Sequence, residues 1–419
     1  MATTLYICYF GMREPLVQTQ VLPYLRELRK SEKGEADSIF PIGVSLLTFE
    51  PSWGAQDVAE FAAIREKLSA EGIEWEWLPY HKRPSAIATA WDILRGTIRV
   101  WRMDRREAYD VFHCRSHVPA VMAAAARKLM RRKPKILFDI RGFFPEESVD
   151  AGIWPENGAI FRAAKCVERG LMKESDGFVV LTEKAREILF PESAPTGFDK
   201  RGRPVEVIPC CVDFDRRFSG DPVGERARVR EELGLKDRQV IVHVGSLGGS
   251  YLSAEIADLM AAARLRRPDV FCLFLTQSDP GIIEPLLIER GFSKGDYFIG
   301  RVPPTDIEGY LYASDIGLSI LKATFGTQSR SPTKIPEYLA CGLPIIANAG
   351  VGDVDKLITE NGVGALLMEF SPEGYPEAHN AIERLGDVSD VCRETAAREF
   401  GLESVGGQRY RSIYSKLIR

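Results

Sequence analysis

Two charged residues, Lys334 and Glu337, lie about one turn apart near the start of a predicted helix. A lysine beside the N–H donors at the positive end of a helix can bind an anion such as a phosphate. A carboxylate one turn further on can accept hydrogen bonds from sugar hydroxyls. Helix starts of this kind are also common in α/β proteins without any ligand. The stretch alone leaves a phosphate site and a purely structural unit as alternatives of about equal weight.

The residue types at both ends of this helix predict its limits. Ser331 is a good N-cap, Pro332 fits the first helical position, and Gly342 fits the left-handed residue that closes a helix. Pro336 would then delete a backbone hydrogen bond, so either the first turn is loose or the helix starts later. A short buried strand is predicted next, over residues 343–347.

Length and composition define the class of protein. The 419 residues exceed one ordinary core and predict two domains of roughly 200 residues each. With 45% hydrophobic and 27% charged residues and a net charge of −4, the chain is typical of soluble globular proteins and not of general nucleic-acid binders. Eight cysteines without a CxxC pair indicate reduced thiols in a cytoplasmic protein and disfavour zinc.

The apolar runs are all short. None reaches the roughly 18 residues of a membrane span, and no basic segment precedes the first strand-like run, at residues 5–10. We therefore expect neither secretion nor a spanning helix.

Strand-like and helix-like runs alternate along the chain, which predicts an α/β fold with parallel sheets. The first half ends with a strand at 205–209, and the polar segment 213–225 is typical of a linker. From residue 239 the same alternation begins again. The chain is therefore expected to contain two similar halves.

Two glycine-rich turns in the second half open on the same side of the predicted sheet. Residues 245–250 follow the strand at 240–244, and residues 350–354 follow the strand after the helix described above. A glycine-rich turn between strand and helix suits a phosphate-binding backbone, although such turns also occur with no ligand.

In the first half, three candidate residues follow predicted strands, at the edge where parallel sheets bind ligands. The turn at Gly11 lets a ligand approach the backbone or merely connects two elements. His117 either faces a ligand or caps and packs a helix. Arg141 either contacts a ligand or forms a structural ion pair with Asp139.

A basic amphipathic helix is predicted over residues 86–106. Its apolar residues recur at about helical spacing among five arginines, and they include Trp91, Leu94, Ile98 and Trp101. Such a helix can lie on an anionic membrane surface with tryptophans at headgroup level, helped by basic residues within 127–135. It can equally pack on a sheet by its tryptophans and leave a solvated basic face. We expect the second arrangement, because globular helices commonly show this pattern.

Four segments in the same order resemble the glycosyltransferases of the GT-B fold, in particular family 4, the bacterial sugar transferases of surface polysaccharide and glycolipid pathways. The segments are residues 14–25, 179–183, 207–213 and 332–346. The resemblance covers nearly the whole chain.

The resemblance implies two facing Rossmann-like domains, with a C-terminal helix that crosses back to the first. The implied parts are an acceptor-binding N-terminal domain at 1–212, a linker at 213–238, a nucleotide-sugar-binding domain at 239–395, and the C-terminal helix at 396–419.

The resemblance also implies roles for matching residues. Glu337 would hold the ribose, Lys334 would lie beside the donor phosphates, and His117 would meet the transferred sugar. Gly11 looks like the glycine turn beneath the donor phosphate, and residues 300–302 resemble the segment along the base. The expected catalytic residues are His117, Arg141, Lys334 and Glu337. The expected donor-binding residues are Gly11, Gly245, Ser246, Gly248, Gly300, Val302, Ser331, Thr333, Gly352 and Asp353.

Two departures from the family pattern concern the donor site. The first glutamate of the usual pair would fall at residue 329, which is Ser329, so backbone within 325–329 would contact the sugar hydroxyls instead. The usual Arg and Lys after the Gly245 turn are also missing. Diphosphate neutralisation is then expected from Lys334, helix N-termini and Arg141, and the identity of the sugar is not predicted.

The implied function is retaining, metal-independent transfer from a nucleotide diphosphate sugar, with UDP favoured and GDP as the alternative, to a glycan, glycolipid or small-molecule acceptor. No cofactor, metal site or nucleic-acid partner is expected, and the acidic pairs at 213–215 and 353–355 are interpreted as surface or cap carboxylates. We expect a role in cell-surface polysaccharide or glycoconjugate biosynthesis, in the cytoplasm or on the inner face of the cytoplasmic membrane. The alternatives are a GT-B epimerase or phosphorylase, and a nucleotide-sugar-binding module that has lost transfer.

Overall fold

The chain folds into two compact units. The computed structural model describes residues 2–30, 41–51, 54–81, 83, 85–218 and 220–418. The first unit comprises residues 1–209 and 405–419, and the second comprises residues 210–404.

The first unit is built on a seven-stranded parallel sheet. Its strands are β1 Thr3–Cys8, β2 Gly43–Glu50, β3 Ile73–Pro79, β4 Val111–Arg115, β5 Lys135–Ile140, β6 Gly177–Val180 and β7 Val205–Val207, in the order β3-β2-β1-β4-β5-β6-β7. Its helices before the linker are α1 Pro15–Gln20, α2 Leu22–Arg29, α3 Ala55–Ala70, α4 Ser85–Arg106, α5 His117–Lys128, α6 Phe144–Asp150, α7 Ala159–Glu174 and α8 Glu183–Leu189, with a 3-10 turn at Pro191–Ser193.

The second unit is built on a six-stranded parallel sheet. Its strands are β8 Val240–Val244, β9 Phe271–Leu275, β10 Tyr297–Gly300, β11 Ile316–Ser319, β12 Ile345–Asn348 and β13 Gly364–Leu367, in the order β10-β9-β8-β11-β12-β13. Its helices are α9 Pro222–Glu232, α10 Ser253–Arg266, α11 Glu284–Glu289, α12 Ile307–Tyr312, α13 Lys334–Ala340, α14 Val354–Asn361, α15 Gly374–Leu385 and α16 Ser389–Phe400, with 3-10 turns at Pro280–Ile282 and Gly326–Ser329.

Both faces of the second sheet are covered by apolar packing. Along β9, Phe271, Leu273 and Leu275 belong to one hydrophobic cluster, whereas Cys272 and Phe274 belong to another. This alternation follows from the two-residue period of a strand, and a parallel sheet that is buried on both faces needs a nearly continuous apolar run. The α/β architecture with two Rossmann-like sheets that the sequence predicts is therefore confirmed.

One face of the first sheet is polar at its centre, because the register pairs Tyr6 with His113 and Arg115 with Asp139. The last helix, α17 Gln408–Ile418, follows a π-helical turn at Leu402–Gly407 and packs in the first unit. The Tyr410 hydroxyl donates to Asp139 Oδ2 at 3.0 Å. The C-terminal helix thus returns to the first unit, as predicted, and it is held there by buried hydrogen bonds.

The unit boundaries differ from the limits expected from the sequence. The second unit extends from residue 210 to 404, whereas the sequence placed a linker at 213–238 and the second domain at 239–395. The difference at the C-terminal side arises because α16 packs on α13 and so stays with the second unit. Within the expected linker, α9 already begins at Pro222.

The helix expected to begin after Ser331 begins at Lys334, so Ser331 is not its N-cap. Thr333 occupies the N-cap position and makes no capping hydrogen bond with its side chain. The late start suits Pro336, which then lies in the first turn, where a backbone N–H has no intrahelical acceptor. The expectation of a later start is therefore the correct one, and the N-cap assignment of Ser331 is wrong.

In each sheet the strand order reverses direction at one point, between β1 and β4 in the first unit and between β8 and β11 in the second. Open α/β sheets bind ligands outside the carboxyl ends of strands at such a point. The turns after β1, β4 and β8 include the predicted residues Gly11, His117 and Gly245.

Candidate functional site

Lys334, the first residue of α13, is almost completely buried, with 5% of its surface exposed. Its Nζ donates no hydrogen bond to any described residue and lies 4.3 Å from the centroid of the Tyr251 ring. Burial lowers the pKa of Lys334 to about 7, and the nearby Glu337 offsets only part of that effect. A buried ammonium without an acceptor is unfavourable, so an anion beside Nζ would offset the desolvation free energy of the charged group.

The glycine turn after β8 lies against this lysine. Gly245 has a φ of 113°, and a Cβ at this position would lie 3.6 Å from Lys334 Nζ. Its neighbours Leu247 and Gly248 already donate their N–H groups, to Ser278 Oγ and Ser253 Oγ, each at 3.0 Å. Two N–H groups of the turn therefore hold the loop in shape and are not available to a ligand.

His243, one residue before the end of β8, is a buried polar group that sequence reasoning missed. Its Nε2 lies 3.1 Å from the Ser246 carbonyl oxygen, whereas its Nδ1 has no partner among the described residues. Burial and the charge of Lys334 hold the pKa of His243 well below its usual value. The ring is therefore neutral, and its Nε2–H helps to fix the glycine turn.

Glu337 is held by an arginine from a distant part of the chain. Its Oε1 accepts a hydrogen bond of 2.5 Å from Arg217, 120 residues earlier. Arg217 also donates to Glu308 Oε1 at 3.2 Å. Burial alone would lower the pKa of Arg217, but Glu337 and Glu308 outweigh it and raise that pKa. The carboxylate of Glu337 is thus held in a fixed orientation, and only 16% of its side chain is exposed.

Tyr338 fixes α13 to β8 and β11, the two strands between which the strand order of the second sheet reverses. Its hydroxyl accepts from the Val244 N–H at 2.8 Å and lies 3.3 Å from the Leu318 carbonyl oxygen. Only a glycine fits beneath its ring, because a Cβ at Gly317 would lie 2.5 Å from a ring atom. Lys334 and Glu337 are therefore carried on a helix that is anchored one turn along.

Four further predicted residues flank α13, and three of them already have structural roles. The Ser331 hydroxyl accepts from the Cys210 N–H at 3.0 Å. Gly352 donates its N–H to the Thr327 carbonyl at 3.1 Å, and Asp353 is the N-cap residue of α14. Thr333 is exposed.

A cavity of about 270 Å³ lies at the carboxyl ends of β9 and β10. Residues 276–280 and 299–301 line it, so Gly300 forms part of its wall. Arg301 closes one side by donating to the Gln277 carbonyl at 3.0 Å. Val302 instead packs against the hydrophobic core. Because Ser278 both lines the cavity and bonds to Leu247, the cavity adjoins the glycine turn.

In the first unit, the Gly11 turn is closed by the buried carboxylate of Glu50. A Cβ at Gly11 would lie 2.7 Å from Glu50 Oε2, and Glu50 accepts the Met12 N–H at 2.8 Å. Burial raises the pKa of Glu50, although its bonds from Thr48 and Met12 oppose that effect. The glycine is thus required by a neighbouring side chain of the same unit.

His117 is buried, and both of its ring nitrogens have neighbours. Nε2 lies 3.2 Å from Glu168 Oε1, and Nδ1 lies 3.5 Å from the Ser116 hydroxyl. The ring also packs edge-on to Phe138, at a centroid distance of 5.2 Å. This geometry favours the packing alternative for His117. Ser116 has a φ of 71°, a conformation that non-glycine residues rarely adopt and that often marks functional sites.

Arg141 lies within a buried network around Asp139. Its Nη1 is 3.6 Å from Asp139 Oδ1, and His113 Nε2 is 3.4 Å from Oδ2 of the same carboxylate. Burial alone would raise the pKa of Asp139, but Arg141, His113 and Arg115 outweigh it and hold that pKa at about 2. The ion-pair alternative stated for Arg141 is the one that this geometry favours.

Comparison with known proteins shows what the chain resembles. Residues 42–211 match a family described as glycosyl transferase 4-like domain. The chain is 25% identical to alpha-D-kanosaminyltransferase of Streptomyces kanamyceticus over 258 residues, covering 58% of this chain and 62% of that protein. It is 29% identical to spore coat protein SA of Bacillus subtilis over 216 residues, covering 46% and 53%. The chain thus spans less than two thirds of the length of these relatives.

The fold matches over the whole chain. The structure of Anabaena Alr3699/HepE in complex with UDP and glucose aligns with a TM-score of 0.67 at 14% identity, over 99% of this chain and 100% of that one. At such low identity the likeness shows the fold alone. Residues 42–211 thus resemble the family 4-like glycosyltransferases, and the chain shares the GT-B fold of its structural neighbours. The predicted fold class is confirmed, and these matches support the predicted family and enzyme class.

The chain also carries a histidine–aspartate pair that sequence reasoning missed. His81 follows β3, and its Nδ1 donates to Asp92 Oδ1 at 2.5 Å, while its backbone N–H donates to Asp92 Oδ2 at 3.0 Å. The Tyr9 hydroxyl donates to the same Oδ2 at 2.8 Å. Asp92 is fully buried in α4 and accepts hydrogen bonds from two other segments, the turns after β1 and β3, so it fixes the edge of the sheet.

We expect Asp92→Asn to lower the free energy of unfolding by about 2 kcal/mol. Both carboxylate oxygens accept hydrogen bonds, and in the variant an NH2 group, which cannot accept, replaces one of them. The measurement is urea unfolding at neutral pH. Asp390→Asn is the matched control, since Asp390 is 93% exposed and pairs with Arg393 at the surface, where a pair contributes little. Equal effects of the two substitutions would contradict the anchoring role.

Among the described residues, no group of three or more His, Cys, Asp or Glu is placed to hold a metal ion. No helix among the same residues is long and apolar enough to cross a membrane.

Proposed function

We propose that the chain transfers a sugar from a nucleoside diphosphate sugar, first of all a UDP-sugar, to a glycan, a glycolipid or a small-molecule acceptor. The observation that carries the proposal is the buried Lys334, whose Nζ lies beside the Gly245 turn without a hydrogen-bond acceptor. A diphosphate would supply that acceptor. We propose that this activity serves glycoconjugate biosynthesis, in the cytoplasm or at the inner membrane face.

The second unit is the proposed donor site. The diphosphate lies against Lys334, and Glu337 accepts hydrogen bonds from ribose hydroxyls with the oxygen that Arg217 does not occupy. The cavity lined by Gly300 holds the base. Uridine is favoured because a structure with the same fold was solved with UDP and glucose. The first unit is the proposed acceptor side.

In the proposed reaction the bond between the sugar C1 and the diphosphate oxygen breaks, and a bond from C1 to the acceptor oxygen forms on the same face of the ring. The acceptor proton passes to the departing phosphate oxygen. Lys334 stabilises the negative charge that grows on that diphosphate. Retention and independence from metal both follow from the family resemblance and are part of the proposal.

A thermal-shift screen of the full chain tests the donor. UDP, GDP, ADP, dTDP and CMP are compared with their common sugar conjugates, each with Mg²⁺ and with chelator. Binding to the folded state raises the apparent melting temperature. We expect a selective rise with UDP and its conjugates that chelator does not abolish. A rise that needs Mg²⁺ would overturn metal independence, and no rise with any nucleotide would overturn the donor site.

A second candidate is a nucleotide-sugar-binding module that has lost transfer. It is favoured by Ser329, which stands where the family has a glutamate and whose hydroxyl donates to the Gly326 carbonyl at 2.7 Å. The side chain is therefore committed to its own turn. Hydrolysis or transfer of a bound UDP-sugar would exclude this module.

Glu337→Gln is expected to weaken UDP binding by about tenfold, because hydrogen bonds to a charged carboxylate are stronger than those to an amide. Isothermal titration calorimetry measures the affinity. Glu308→Gln is the matched control, since Glu308 shares Arg217 but belongs to α12. If both substitutions weaken binding equally, Glu337 acts only through Arg217 and does not contact the nucleotide.

A further inference from the structure

Helix α4 exposes a continuous stripe of large apolar side chains. Ile87, Trp91, Leu94 and Ile98 follow one another at spacings of four, three and four residues, which places them on one face of a helix. Their exposed fractions are 71%, 52%, 50% and 39%. Scattered single apolar residues are normal at a surface, but four in a row on one helix are not.

The opposite face of α4 anchors the helix to the first unit. That face combines the apolar Val100 and Met103 with small or polar residues such as Gly96. Gly96 packs so closely that a Cβ there would lie 2.4 Å from Met122 Sδ. The stripe therefore points away from the core. The expectation that both tryptophans pack on the sheet is wrong for Trp91, and only Trp101 packs against the core.

The exposed charges that α4 itself carries are all positive. The two aspartates of α4, Asp92 and Asp104, are both buried, so the exposed face of the helix has no carboxylate. Among the described residues Arg95, Arg102 and Arg105 have no carboxylate partner, and Arg105 lies over the Trp101 ring. By contrast Arg99 and Arg106 both pair with Glu76.

The basic surface continues beyond the helix. Arg132 Nη1 lies 3.8 Å from Asp104, which places the segment before β5 beside the C-terminal turn of α4. Lys128, Arg131 and Lys135 are exposed there, and none of them has a carboxylate partner among the described residues. The apolar stripe thus runs into a basic patch.

We propose that α4 docks the chain on an anionic lipid bilayer, with the stripe in the interfacial region, Trp91 at headgroup level and the arginines against lipid phosphates. An amphipathic helix with apolar residues on one side and arginines beside them has the composition of an interfacial helix. Two copies of this chain packed through the same stripe would bring their arginines together, which disfavours a dimer. The proposal goes beyond the transferase activity and does not depend on it.

Co-sedimentation of the full chain with vesicles tests the proposal. One vesicle is phosphatidylcholine alone, and the other contains equal parts of phosphatidylcholine and phosphatidylglycerol. We expect binding to the anionic vesicle that falls as salt is raised, because surface charge attraction is screened. Since no nucleotide is present, failure here and failure of the donor site are separate outcomes.

One stripe variant, one variant of a flanking arginine and one matched control accompany the wild type. Leu94→Glu should reduce partitioning by about tenfold or more, and Arg102→Glu by about fivefold or more. Leu265→Glu is the control, because Leu265 is 88% exposed on α10 of the second unit and should bind as the wild type. All three substituted positions are at the surface, so circular dichroism should show an unchanged fold.

Lipids brominated in the upper acyl chain locate the contact. They should quench tryptophan fluorescence in the wild type and less in Trp91→Phe. The proposal is overturned if the chain ignores anionic vesicles at low salt, or if Leu94→Glu binds them like Leu265→Glu. Light scattering that shows a dimer dissolved by Leu94→Glu, without vesicle binding, would assign the stripe to a second copy instead.

Discussion

Lys334→Met is expected to reduce the affinity for UDP by about a hundredfold while it increases the stability of the protein. Affinity falls because the buried cation beside the Gly245 turn is lost. Stability rises by about 1 kcal/mol or more, because a buried ammonium without a hydrogen-bond acceptor is replaced by an apolar side chain of similar length. Calorimetric titration and urea unfolding measure the two effects.

The pH dependence of Lys334 has a definite sign. Its folded pKa of about 7 lies below the ordinary lysine value, so the folded state releases a proton that the unfolded chain retains. The buried ammonium therefore lowers the free energy of unfolding most at pH values below that pKa. This destabilisation decreases as pH rises towards about 10.4. UDP should draw the proton back, so titrations at about pH 8 in buffers of different ionisation enthalpy should show proton uptake.

Lys294→Met is the matched control for the lysine prediction. Lys294 is exposed in the loop before β10, so its replacement should leave affinity, stability and proton uptake unchanged. If Lys334→Met bound UDP like this control, the phosphate site would lie elsewhere. If it destabilised the chain, the lysine would have a structural partner.

Asp139→Ala is expected to lower the free energy of unfolding by about 3–5 kcal/mol. The substitution removes the acceptor of the Tyr410 hydroxyl and the counter-charge of buried cations in the same sheet. Because Tyr410 belongs to α17, the C-terminal helix should also detach more easily. Chemical unfolding gives the first quantity, and hydrogen exchange over residues 408–418 gives the second.

Acid should reproduce part of this loss. The folded pKa of Asp139, about 2, lies below the ordinary aspartate value of about 3.9, so its ionised form stabilises the fold above that value. The contribution, of about 2–3 kcal/mol, is lost as pH falls from about 4 towards 2. Asp390→Ala, at an exposed site, should show neither the destabilisation nor the altered acid profile. An Asp139 variant that kept the acid profile of the wild type would contradict the assignment.

The buried runs and the turns between them were predictable because a strand or a helix repeats its pattern within a few residues. The runs that became β8 and β9 are short, apolar and bounded by glycine or polar residues, and the second sheet has them where expected. The stretch containing Lys334 and Glu337 was likewise found from residue types alone. Helix starts were less predictable, since Thr333 replaced Ser331 as N-cap once Pro336 had to lie in the first turn.

The amino-acid sequence by itself predicted the α/β class, the two similar halves and the resemblance to a glycosyltransferase family, and it singled out Lys334 and Glu337 as candidate donor-site residues. Tertiary structure decided which partners those residues have. Arg217 reaches Glu337 across 120 residues, and Tyr410 reaches Asp139 across 271. It also decided which face of α4 is buried, because small residues such as Gly96 pack inward and leave Trp91 outside. Local periodicity reports the conformation of one segment, whereas these pairings depend on how distant segments pack, and no local pattern specifies that.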